Sequence, residues 1–471
     1  MFGLTLTNIA EIVQGKLTGG SGNIEPVGAA IDTRCIGEKE LFFALKGEKA
    51  DGHDFLTEAR DRGAMAAIVS HRPSEYTDIG FPLIIVENVT KAMQQIALAM
   101  RRRFGGPVIA ITGSTGKTTT KDMLWSVLRE RGPVLKNKGN YNNELGLPLT
   151  LLALQKEHWA IVLEMGMRGM GEIDFLARHS EPGYGVITSI GHTHQELLGT
   201  VEKIAQAKAE LISHIPYNGG LVLNISDKDR LKPWLSNIRS EVCWVGLQRP
   251  AQLWAEEISE TGESLTDPVL EFMICTIKGK EAVIKMPVLG RHNVINALLA
   301  AGIARQLGLK WEEIEAGLEK VSLSARRLEL KEVRERDIMI IDDAYNANPE
   351  SVAAALDTLV TLKSGQDRKR AVAVLGNMYE LGSYEEEGHR LVGEKAQKAG
   401  VSFLITVGQL ACDIAVGALS AGMDATQIRT CQNNSEAIAC LKEMLKAGDL
   451  VLIKGSRGVK MEEIVFGLLT W

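Results

Sequence analysis

The stretch PVIAITGSTGKTTTKDML, residues 107–124, decides the fold. It begins with a short β-branched apolar run, continues through a turn with two glycines, and ends in the apolar spacing of an amphipathic helix. Such a turn directs backbone N–H groups and the positive end of the helix dipole at one point, where phosphate oxygens can bind. The sequence therefore predicts a phosphate-binding α/β domain.

The turn itself carries the side chains that nucleotide chemistry needs. Lys117 can reach the terminal phosphates and Thr118 can ligate Mg²⁺. The loop is shorter than the general G-x-x-x-x-G-K-[ST] pattern because Ile111 stands five residues before Gly116. A glycine turn that only joins strand to helix is the alternative. The expected ATP contacts in this turn are Gly113, Ser114, Thr115, Gly116, Lys117, Thr118 and Thr119.

Two stretches of the chain alternate β-branched runs with amphipathic helical patterns, which is typical of parallel sheets covered by helices. In the middle stretch the further candidate strands are WAIVLE (159–164), YGVITSI (184–190) and GGLVLN (219–224). The C-terminal stretch repeats the pattern in IMIID (338–342), AVAVLG (371–376), FLITVG (403–408) and DLVLIK (449–454). The helix after the turn should pack through Met123, Leu124, Val127 and Leu128 and stop at Gly132-Pro133.

These patterns predict an α/β protein of three domains, in agreement with a length of 471 residues. We expect a small N-terminal α/β substrate domain (1–105), a central P-loop parallel-sheet ATPase-like domain (106–320) and a C-terminal Rossmann-like domain (321–471). The basic, glycine-rich RRRFGG at 101–106 is interpreted as the first linker, and VSLSARR (321–327) marks the second boundary.

Composition excludes several classes of protein. A net charge of -6 gives no general attraction to nucleic acids or anionic membranes, and no apolar run is long enough to span a bilayer. The six cysteines are scattered without a CxxC pair, so neither a zinc site nor a disulfide framework is indicated. We expect a cytoplasmic protein with reduced thiols. A GTPase is disfavoured because the sequence at 137–140, NKGN, lacks the acid of an Asn-Lys-x-Asp motif.

Four further residues near the carboxyl edge of the central sheet are considered for chemistry. Glu164 ends the strand WAIVLE beside the phosphate loop, where it is either a metal-binding carboxylate or a solvated strand-end acid. His192 and His194 follow the next strand, and loop histidines satisfied by hydrogen bonds are as compatible with the sequence as a metal role. Lys208, in EKIAQAKAEL, would by itself be interpreted as a surface lysine.

Eight segments, taken together and in order, resemble the Mur ligase family over nearly the whole chain: ITGSTGKTT, NKGNYNNELGLPLT, LEMG, HTHQELLGT, AKAE, GRHNVINAL, RRLE and DDAYNANPES. Within the family, the segments DAYNANPES, VLGNMYELGSYEEEGH and LIKGSRGVKME are most similar to the branch that adds D-alanyl-D-alanine to UDP-N-acetylmuramoyl-tripeptide. The resemblance implies an ATP-dependent carboxylate–amine ligase of peptidoglycan synthesis that works through an acyl phosphate. The alternatives are another ligase of the family, folylpolyglutamate synthase, or a nucleotide-binding regulator without turnover.

The resemblance also implies roles for individual residues. Catalytic roles fall on Lys117, Glu164, His194, Lys208 and Arg327. Mg²⁺ would be held by Thr118, Glu164 and His194, with Lys208 as a further ligand if carbamylated. Further ATP contacts are expected at Asn293, Asn296, Arg327 and Asp343. Asn293 could instead cap a helix, since Asn is common at that position.

Substrate contacts are implied in all three domains. In the first domain the residues are Thr33, Arg34, Gly47, Asp51 and His53, although a turn rich in Asp and Gly is the alternative there. Near the phosphate loop they are Asn140, Asn142 and Asn143, and in the last domain Tyr345, Asn346 and Asn348. Asn348-Pro349-Glu350 is also an ordinary helix start. The expected partners are the UDP-sugar peptide and the dipeptide, with the protein a monomer.

Overall fold

The computed structural model describes residues 3–74, 76, 80–236, 238–261, 268–365 and 370–471. Three sheets follow one another along the chain, each covered by helices. The chain is therefore a three-domain α/β protein, and this fold class confirms the prediction. No helix in the described part of the chain has the length and apolarity needed to cross a bilayer. All six cysteines are free thiols.

The first sheet has five strands in the order β1-β5-β4-β3-β2. Its strands are parallel except β1, which runs antiparallel to β5. The strands are β1 (Lys16–Thr18), β2 (Gly28–Ala30), β3 (Glu40–Phe43), β4 (Ala66–Val69) and β5 (Leu83–Ile85), and the helices are α1 (Leu6–Ile12), α2 (Leu56–Asp61) and α3 (Val89–Arg103). Half of the expected linker at 101–106 is therefore the last turn of α3.

The second sheet has nine strands in the order β14-β13-β12-β11-β10-β9-β6-β8-β7. Its strands are β6 (Val108–Thr112), β7 (Val134–Lys136), β8 (Ala160–Glu164), β9 (Tyr184–Ile187), β10 (Gly220–Asn224), β11 (Glu241–Gly246), β12 (Leu253–Thr261), β13 (Val269–Thr276) and β14 (Gly279–Met286). The helices are α4 (Lys117–Leu128), α5 (Gly146–Leu152), α6 (Glu172–Ser180), α7 (Gln195–Leu198), α8 (Val201–Ala209), α9 (Lys228–Leu235), α10 (Asn293–Gln306) and α11 (Trp311–Glu319).

The predicted parallel strands lie in one half of this sheet. Strand β12 pairs parallel with β11, and β13 and β14 extend the sheet by antiparallel pairing. The short strands β7 and β11 were not predicted, and neither were β12, β13 and β14. Alternating burial along β14 is the signal that could have found the last three, since a period of two is typical of a sheet with one solvated face. The antiparallel strands lie at the opposite edge from β7, so the phosphate loop after β6 lies within the parallel part of the sheet.

The third sheet has six strands in the order β15-β16-β20-β17-β18-β19, all parallel except β15. The strands are β15 (Glu329–Val333), β16 (Ile338–Asp342), β17 (Arg370–Gly376), β18 (Phe403–Val407), β19 (Ile428–Cys431) and β20 (Asp449–Lys454). The helices are α12 (Pro349–Gly365), α13 (Glu385–Ala399), α14 (Cys412–Ser420), α15 (Asn434–Met444) and α16 (Glu462–Leu469).

Burial explains why these runs form central strands. Every residue of β6, β8, β16 and β20 is buried, as expected of parallel strands covered on both faces. Helix α4 packs through Met123, Leu124, Val127 and Leu128, all fully buried, and this confirms the predicted apolar face. The helix ends before Gly132, as predicted. Strands β6 and β8 thus hold the phosphate loop and Glu164 at the same sheet edge.

Candidate active site

The phosphate loop lies between β6 and α4 and is held from the side by the segment that follows β9. Gly191 N donates to Ser114 Oγ (2.9 Å), and Thr115 N donates to Ser189 Oγ (3.0 Å). Two glycines have no room for a side chain: a Cβ at Gly113 would lie 1.9 Å from Thr188 Oγ1, and one at Gly116, where φ is +80°, would lie 2.4 Å from Asn296 Oδ1. The glycines are therefore required by close packing as well as by the turn.

Lys117 begins α4 and folds back over this loop. Its Nζ donates to the carbonyl oxygens of Gly113 (2.6 Å) and Ser114 (3.3 Å). The pKa of Lys117 is lowered, chiefly by burial and also by Arg327, although Glu164 opposes the shift. The ammonium group thus lies over the turn in which phosphate oxygens would bind.

Glu164 ends β8 and is buried, so the solvated strand-end interpretation is wrong. Its Oε1 accepts a hydrogen bond from Asn142 Nδ2 (3.0 Å), and its Oε2 lies 3.1 Å from Lys121 Nζ. Burial alone would raise the pKa of Glu164, but Lys121 and Lys117 outweigh it and the pKa is lowered. The site therefore holds an ionised carboxylate beside the phosphate loop.

Two functional neighbours were missed in the sequence. Lys121 is one helical turn beyond Lys117 and is 1% exposed. Asp122, also 1% exposed, accepts hydrogen bonds from Ser324 N (2.9 Å) and Ser324 Oγ (2.6 Å). In the sequence, Lys121 and Asp122 stand directly before the apolar residues of α4. Two adjacent charged residues at that position are the signal that could have indicated their burial. Asp122 thereby joins α4 to the segment that precedes Arg327.

His194 and Lys208 both lie in the part of the chain that follows β9. His194 has a φ of +67° and lies immediately before α7, while Lys208 lies in the last turn of α8. Lys208 is 1% exposed, so its interpretation as a surface lysine is wrong. Burial, with a contribution from Lys117, lowers the pKa of Lys208 well below its usual value. Burial also lowers the pKa of His194, and the charges of Lys117 and Lys208 act in the same direction. The three side chains therefore share one electrostatic environment.

Arg327 connects the third domain to the phosphate loop. Its Nη2 donates to Thr118 Oγ1 (3.0 Å), and its guanidinium carbon lies 4.4 Å from the centre of the Tyr345 ring. Its buried Nε has no hydrogen-bond partner among the described residues. A guanidinium with an unused donor beside Thr118 is suited to an anion.

Three more of the residues expected to contact ATP form two hydrogen-bonded groups. Asn293 Nδ2 donates to Leu289 O (2.6 Å), and Asn296 Nδ2 donates to Asn293 Oδ1 (2.8 Å). Helix α10 begins at Asn293 and its cap residue is His292, so the interpretation of Asn293 as the helix cap is wrong. Asp343 follows β16, and its Oδ2 lies 2.6 Å from Lys454 Nζ.

The three asparagines after β7 have different environments. Asn142 contacts Glu164, as described above. Asn143 Oδ1 accepts from Gly146 N (2.9 Å), at the start of α5. Asn140 is exposed. The structure thus brings Asn142 to the carboxylate, while Asn143 uses its side-chain oxygen within its own turn.

The segment 345–350 packs against the loop after β9. Asn348 Oδ1 accepts from Ser351 N (2.8 Å) at the start of α12, so Asn348 does cap that helix. Its Nδ2 donates to Thr193 Oγ1 (2.9 Å) across the domains. Asn346 contributes its carbonyl oxygen to Lys454 Nζ (2.9 Å). Asn348 therefore caps α12 with its side-chain oxygen and contacts the second domain with its side-chain nitrogen.

The first-domain candidates gather at the carboxyl ends of β2, β3 and β4. Thr33 is buried and follows β2, whereas Arg34 is exposed and pairs with Asp32 (2.6 Å). Gly47 N donates to Ala50 O (2.9 Å) after β3. No hydrogen bond or ion pair among the described residues joins this group to the phosphate loop.

His53 is held entirely by its own domain. It is buried, its Nδ1 lies 2.6 Å from Asp51 Oδ1, and its Nε2 accepts from Ser70 N (2.9 Å). Both ring nitrogens are therefore engaged, and His53 shapes the loop that carries Asp51.

The oxygen donors near the phosphate loop suit a hard cation. In the described part of the chain, no three or more His, Cys, Asp or Glu side chains lie together in a way that could hold a metal. Mg²⁺ in nucleotide sites binds through one or two carboxylates together with phosphate oxygens and water. The ionised, buried Glu164 and the hydroxyl of Thr118 provide such a partial set, so the residues fit this ion.

Family models match the chain in three segments. The Mur ligase middle domain matches residues 111–304, the Mur ligase, glutamate ligase domain matches 326–457, and the Mur ligase family, catalytic domain matches 27–101. The UDP-N-acetylmuramoyl-tripeptide--D-alanyl-D-alanine ligase of Bacillus subtilis is 38% identical over 99% of this chain and 98% of its own length. The enzyme of the same name from Escherichia coli is 34% identical over 99% of both chains.

Solved structures agree. A crystal structure of MurF from Acinetobacter baumannii superimposes with a TM-score of 0.84 at 29% identity, covering 99% of both chains. The MurF ligase of Thermotoga maritima in complex with ADP gives a TM-score of 0.78 at 25% identity, covering 95% of this chain and 99% of that one. The likeness thus extends over all three domains.

Proposed function

This chain belongs to the Mur ligase family, and from that premise we propose that it joins UDP-N-acetylmuramoyl-tripeptide to D-alanyl-D-alanine, the substrates in its relatives' names. It is an ATP-dependent ligase of peptidoglycan precursor synthesis. The residue assignments rest on one observation: Lys117, Glu164 and Arg327 lie together around one phosphate loop. Such a cluster can stabilise a transferring phosphoryl group.

The chemistry requires activation because a carboxylate is a poor electrophile. In the proposed reaction a carboxylate oxygen of the tripeptide attacks the γ-phosphorus, the bond to the leaving oxygen of ADP breaks, and an acyl phosphate forms. The amine nitrogen of the dipeptide then attacks the acyl carbon, and the carbon–oxygen bond to phosphate breaks. The products are the amide, ADP, phosphate and a proton. No nucleophile from the chain is required.

In this scheme Lys117 and Arg327 bind the phosphates of ATP. Lys117 would exchange the carbonyl oxygens of Gly113 and Ser114 for the terminal phosphate oxygens, since its ammonium already lies over the loop. Arg327 would bind the same phosphates through its unused Nε. Both cations would act most strongly on the transition state, where charge on the transferring group is greatest.

Thr118, Glu164 and His194 would hold Mg²⁺. When bound, the ion would neutralise phosphate charge and orient the phosphoryl group for attack. Asn142 and Lys121 keep the Glu164 carboxylate in place from two sides. His194 is an unusual ligand for a hard cation, so its assignment rests on the family resemblance.

Lys208 is proposed to carry a carbamate. Only a neutral amine can attack CO₂, forming a nitrogen–carbon bond and releasing a proton, and the lowered pKa of Lys208 favours the neutral form. The product is an anion, which can lie among cations in a buried site where an ammonium is unfavourable. A carbamate on Lys208 would therefore suit a second metal.

The remaining residues are proposed to bind the ends of the substrates. Asn293, Asn296 and Asp343 would contact adenosine, and Tyr345, Asn346 and Asn348 the incoming dipeptide. Asn140, Asn142 and Asn143 would lie near the acceptor peptide. In the first domain, Thr33, Arg34, Gly47 and Asp51 would hold the UDP-sugar, with His53 supporting Asp51. Because these groups belong to three domains, closure of the domains would exclude water from the acyl phosphate.

The proposal is tested by supplying the protein with ATP, Mg²⁺ and a panel of UDP-linked peptides, each with D-alanyl-D-alanine or single amino acids. We expect one product, with the mass of the UDP-tripeptide extended by the dipeptide. Lys117→Ala should form none, whereas Lys320→Ala, which breaks an exposed ion pair, should match the parent protein. A product formed only with a single amino acid would assign the chain to another step of the pathway. ATP binding with no product from any pair would overturn the proposal.

A further inference from the structure

A carboxylate of the third domain lies directly against the proposed metal-binding histidine of the second. Glu380 Oε2 is 2.6 Å from His194 Nδ1, although the two atoms are not aligned as a hydrogen bond and Nδ1 has no hydrogen-bond partner among the described residues. Both residues have positive backbone φ angles, +66° and +67°, which are unfavourable for side chains of this size. Strained non-glycine residues are tolerated where the surrounding structure holds them, and they are common at functional sites.

Contacts on both sides of this pair hold it in place. Glu196 N donates to the carbonyl oxygen of Glu380 (3.3 Å), and the ring of Tyr384 stacks on His192 with centroids 3.9 Å apart. Gly382 lies so close to Glu196 that a Cβ would be 2.6 Å from its Cα. The loop 379–384 of the third domain is thus fitted to the segment 192–198 of the second.

The chemistry of imidazole gives this contact a consequence. An ionised carboxylate cannot donate a hydrogen bond, and at 2.6 Å an unprotonated Nδ1 would set its lone pair against the carboxylate oxygen. The contact therefore favours the tautomer with the proton on His194 Nδ1. The neutral ring then has its lone pair on Nε2, the nitrogen left to bind a metal. Metal-binding histidines generally donate their other ring N–H to such a partner, which fixes the tautomer and the ring orientation.

We propose that Glu380 is a positioning residue: it holds His194 in the tautomer and orientation that bind the metal, so that the third domain completes the metal centre when it docks. The inference rests on the proposed function, in which His194 binds Mg²⁺. Glu380 lies in the loop before α13, where no metal ligand is expected. It would nevertheless control the affinity for the metal. Docking and metal binding would then favour each other by the same free energy.

The test measures binding of Mn²⁺, as a paramagnetic substitute for Mg²⁺, to the whole protein with a non-hydrolysable ATP analogue and the UDP-tripeptide. Glu380→Ala should raise the Mn²⁺ dissociation constant by about 10-fold or more. Glu380→Gln should recover most of the affinity because its amide oxygen can still accept from Nδ1. Glu386→Ala is the matched control. Glu386 is an exposed acid near the same loop, and its carboxylate pairs with Arg390. The Glu386→Ala variant should bind Mn²⁺ normally.

A double-mutant cycle separates this inference from the function on which it rests. His194→Ala should weaken Mn²⁺ binding, and adding Glu380→Ala to it should have little further effect. If His194→Ala weakens binding and Glu380→Ala does not, the positioning role is wrong and the proposed metal site survives. If His194→Ala binds Mn²⁺ normally, both are wrong. Normal Mn²⁺ affinity in Glu380→Ala with a raised KM for D-alanyl-D-alanine would assign Glu380 to the amine instead and overturn the inference.

Discussion

Lys121 Nζ lies 3.1 Å from Glu164 Oε2, with the two side chains only 1% and 5% exposed. The helix that begins in the phosphate loop thus supplies a counter-ion for the acid at the end of the neighbouring strand. Because the pair is buried, each partner would be costly to leave alone. This relationship links the stability of the central domain to the charge of the proposed metal ligand.

Removal of Lys121 should therefore destabilise the protein. Lys121→Met leaves Glu164 as a buried carboxylate without its nearest cation and should lower the free energy of unfolding by about 3 kcal/mol. Adding Glu164→Gln should recover part of that loss, since no unpaired charge remains. Urea unfolding measures both changes, with Lys320→Met as the control because that exposed pair contributes about 1 kcal/mol at most. Equal stability of Lys121→Met and the parent protein would contradict the role of this pair.

Asp122 should affect ATP binding through the segment that it anchors. Asp122→Ala removes two hydrogen bonds to Ser324, three residues before Arg327, and also the ion pair with Lys136 (2.7 Å). We expect a loss of about 2 kcal/mol of stability together with a raised KM for ATP, because Arg327 would be less well held. Glu130→Ala, which breaks an exposed pair with Lys320, should leave the KM for ATP unchanged. A loss of stability with an unaltered KM would reduce Asp122 to a structural role.

The proposed carbamate on Lys208 predicts that activity lost in Lys208→Ala can be rescued chemically. Lys208→Ala removes the proposed carbamate and should lose most turnover while the fold persists. Added short-chain carboxylates should restore part of the activity, because they can supply the missing anion to the cavity left by the side chain. Steady-state phosphate release measures the effect. Full activity of Lys208→Ala without any additive would remove the proposed role.

We expect His389 to make the stability of the third domain sensitive to acid. It is fully buried; its Nε2 accepts from Met378 N (3.0 Å), and its Nδ1 lies 2.7 Å from Glu385 O and donates to it. Burial lowers the pKa of His389 below its usual value of 6.5. The unfolded chain therefore takes up a proton first, so stability is retained above about pH 6.5 and lost as pH falls toward the lowered pKa.

This pH dependence can be measured by urea unfolding between pH 8 and pH 5. His389→Gln cannot titrate, so the slope of its unfolding free energy against pH should be smaller than that of the parent protein. Identical slopes in the two proteins would show that His389 does not titrate in this range.

The sequence predicted the fold class because its strongest signals are local. The run of apolar residues before Gly113 and the helical spacing after Lys117 follow directly from the order of side chains. Strands β12 to β14 were missed because their half-buried alternation is weaker than the buried runs of β6 or β20. The phosphate loop and the candidate carboxylate Glu164 were predicted from local sequence, whereas the roles of Lys208 and Arg327 were predicted only through the family resemblance.

The neighbours of those residues could not be predicted from sequence. The pairing of Lys121 with Glu164 depends on how α4 packs across two strands. The contact of Glu380 with His194 joins positions in different domains, and no local pattern marks it. Buried charged pairs are fixed by tertiary packing, which explains why the charges of the site emerged only with the structure.

The most direct test of the central claim, that the outermost phosphate of ATP passes to a carboxylate oxygen of the UDP-tripeptide, follows oxygen atoms. The reacting carboxylate is labelled with ¹⁸O at both positions, and the phosphate released during ligation is analysed by mass. One ¹⁸O atom should appear in each phosphate and one should remain in the new amide. Unlabelled phosphate released while the amide forms would contradict the acyl-phosphate mechanism.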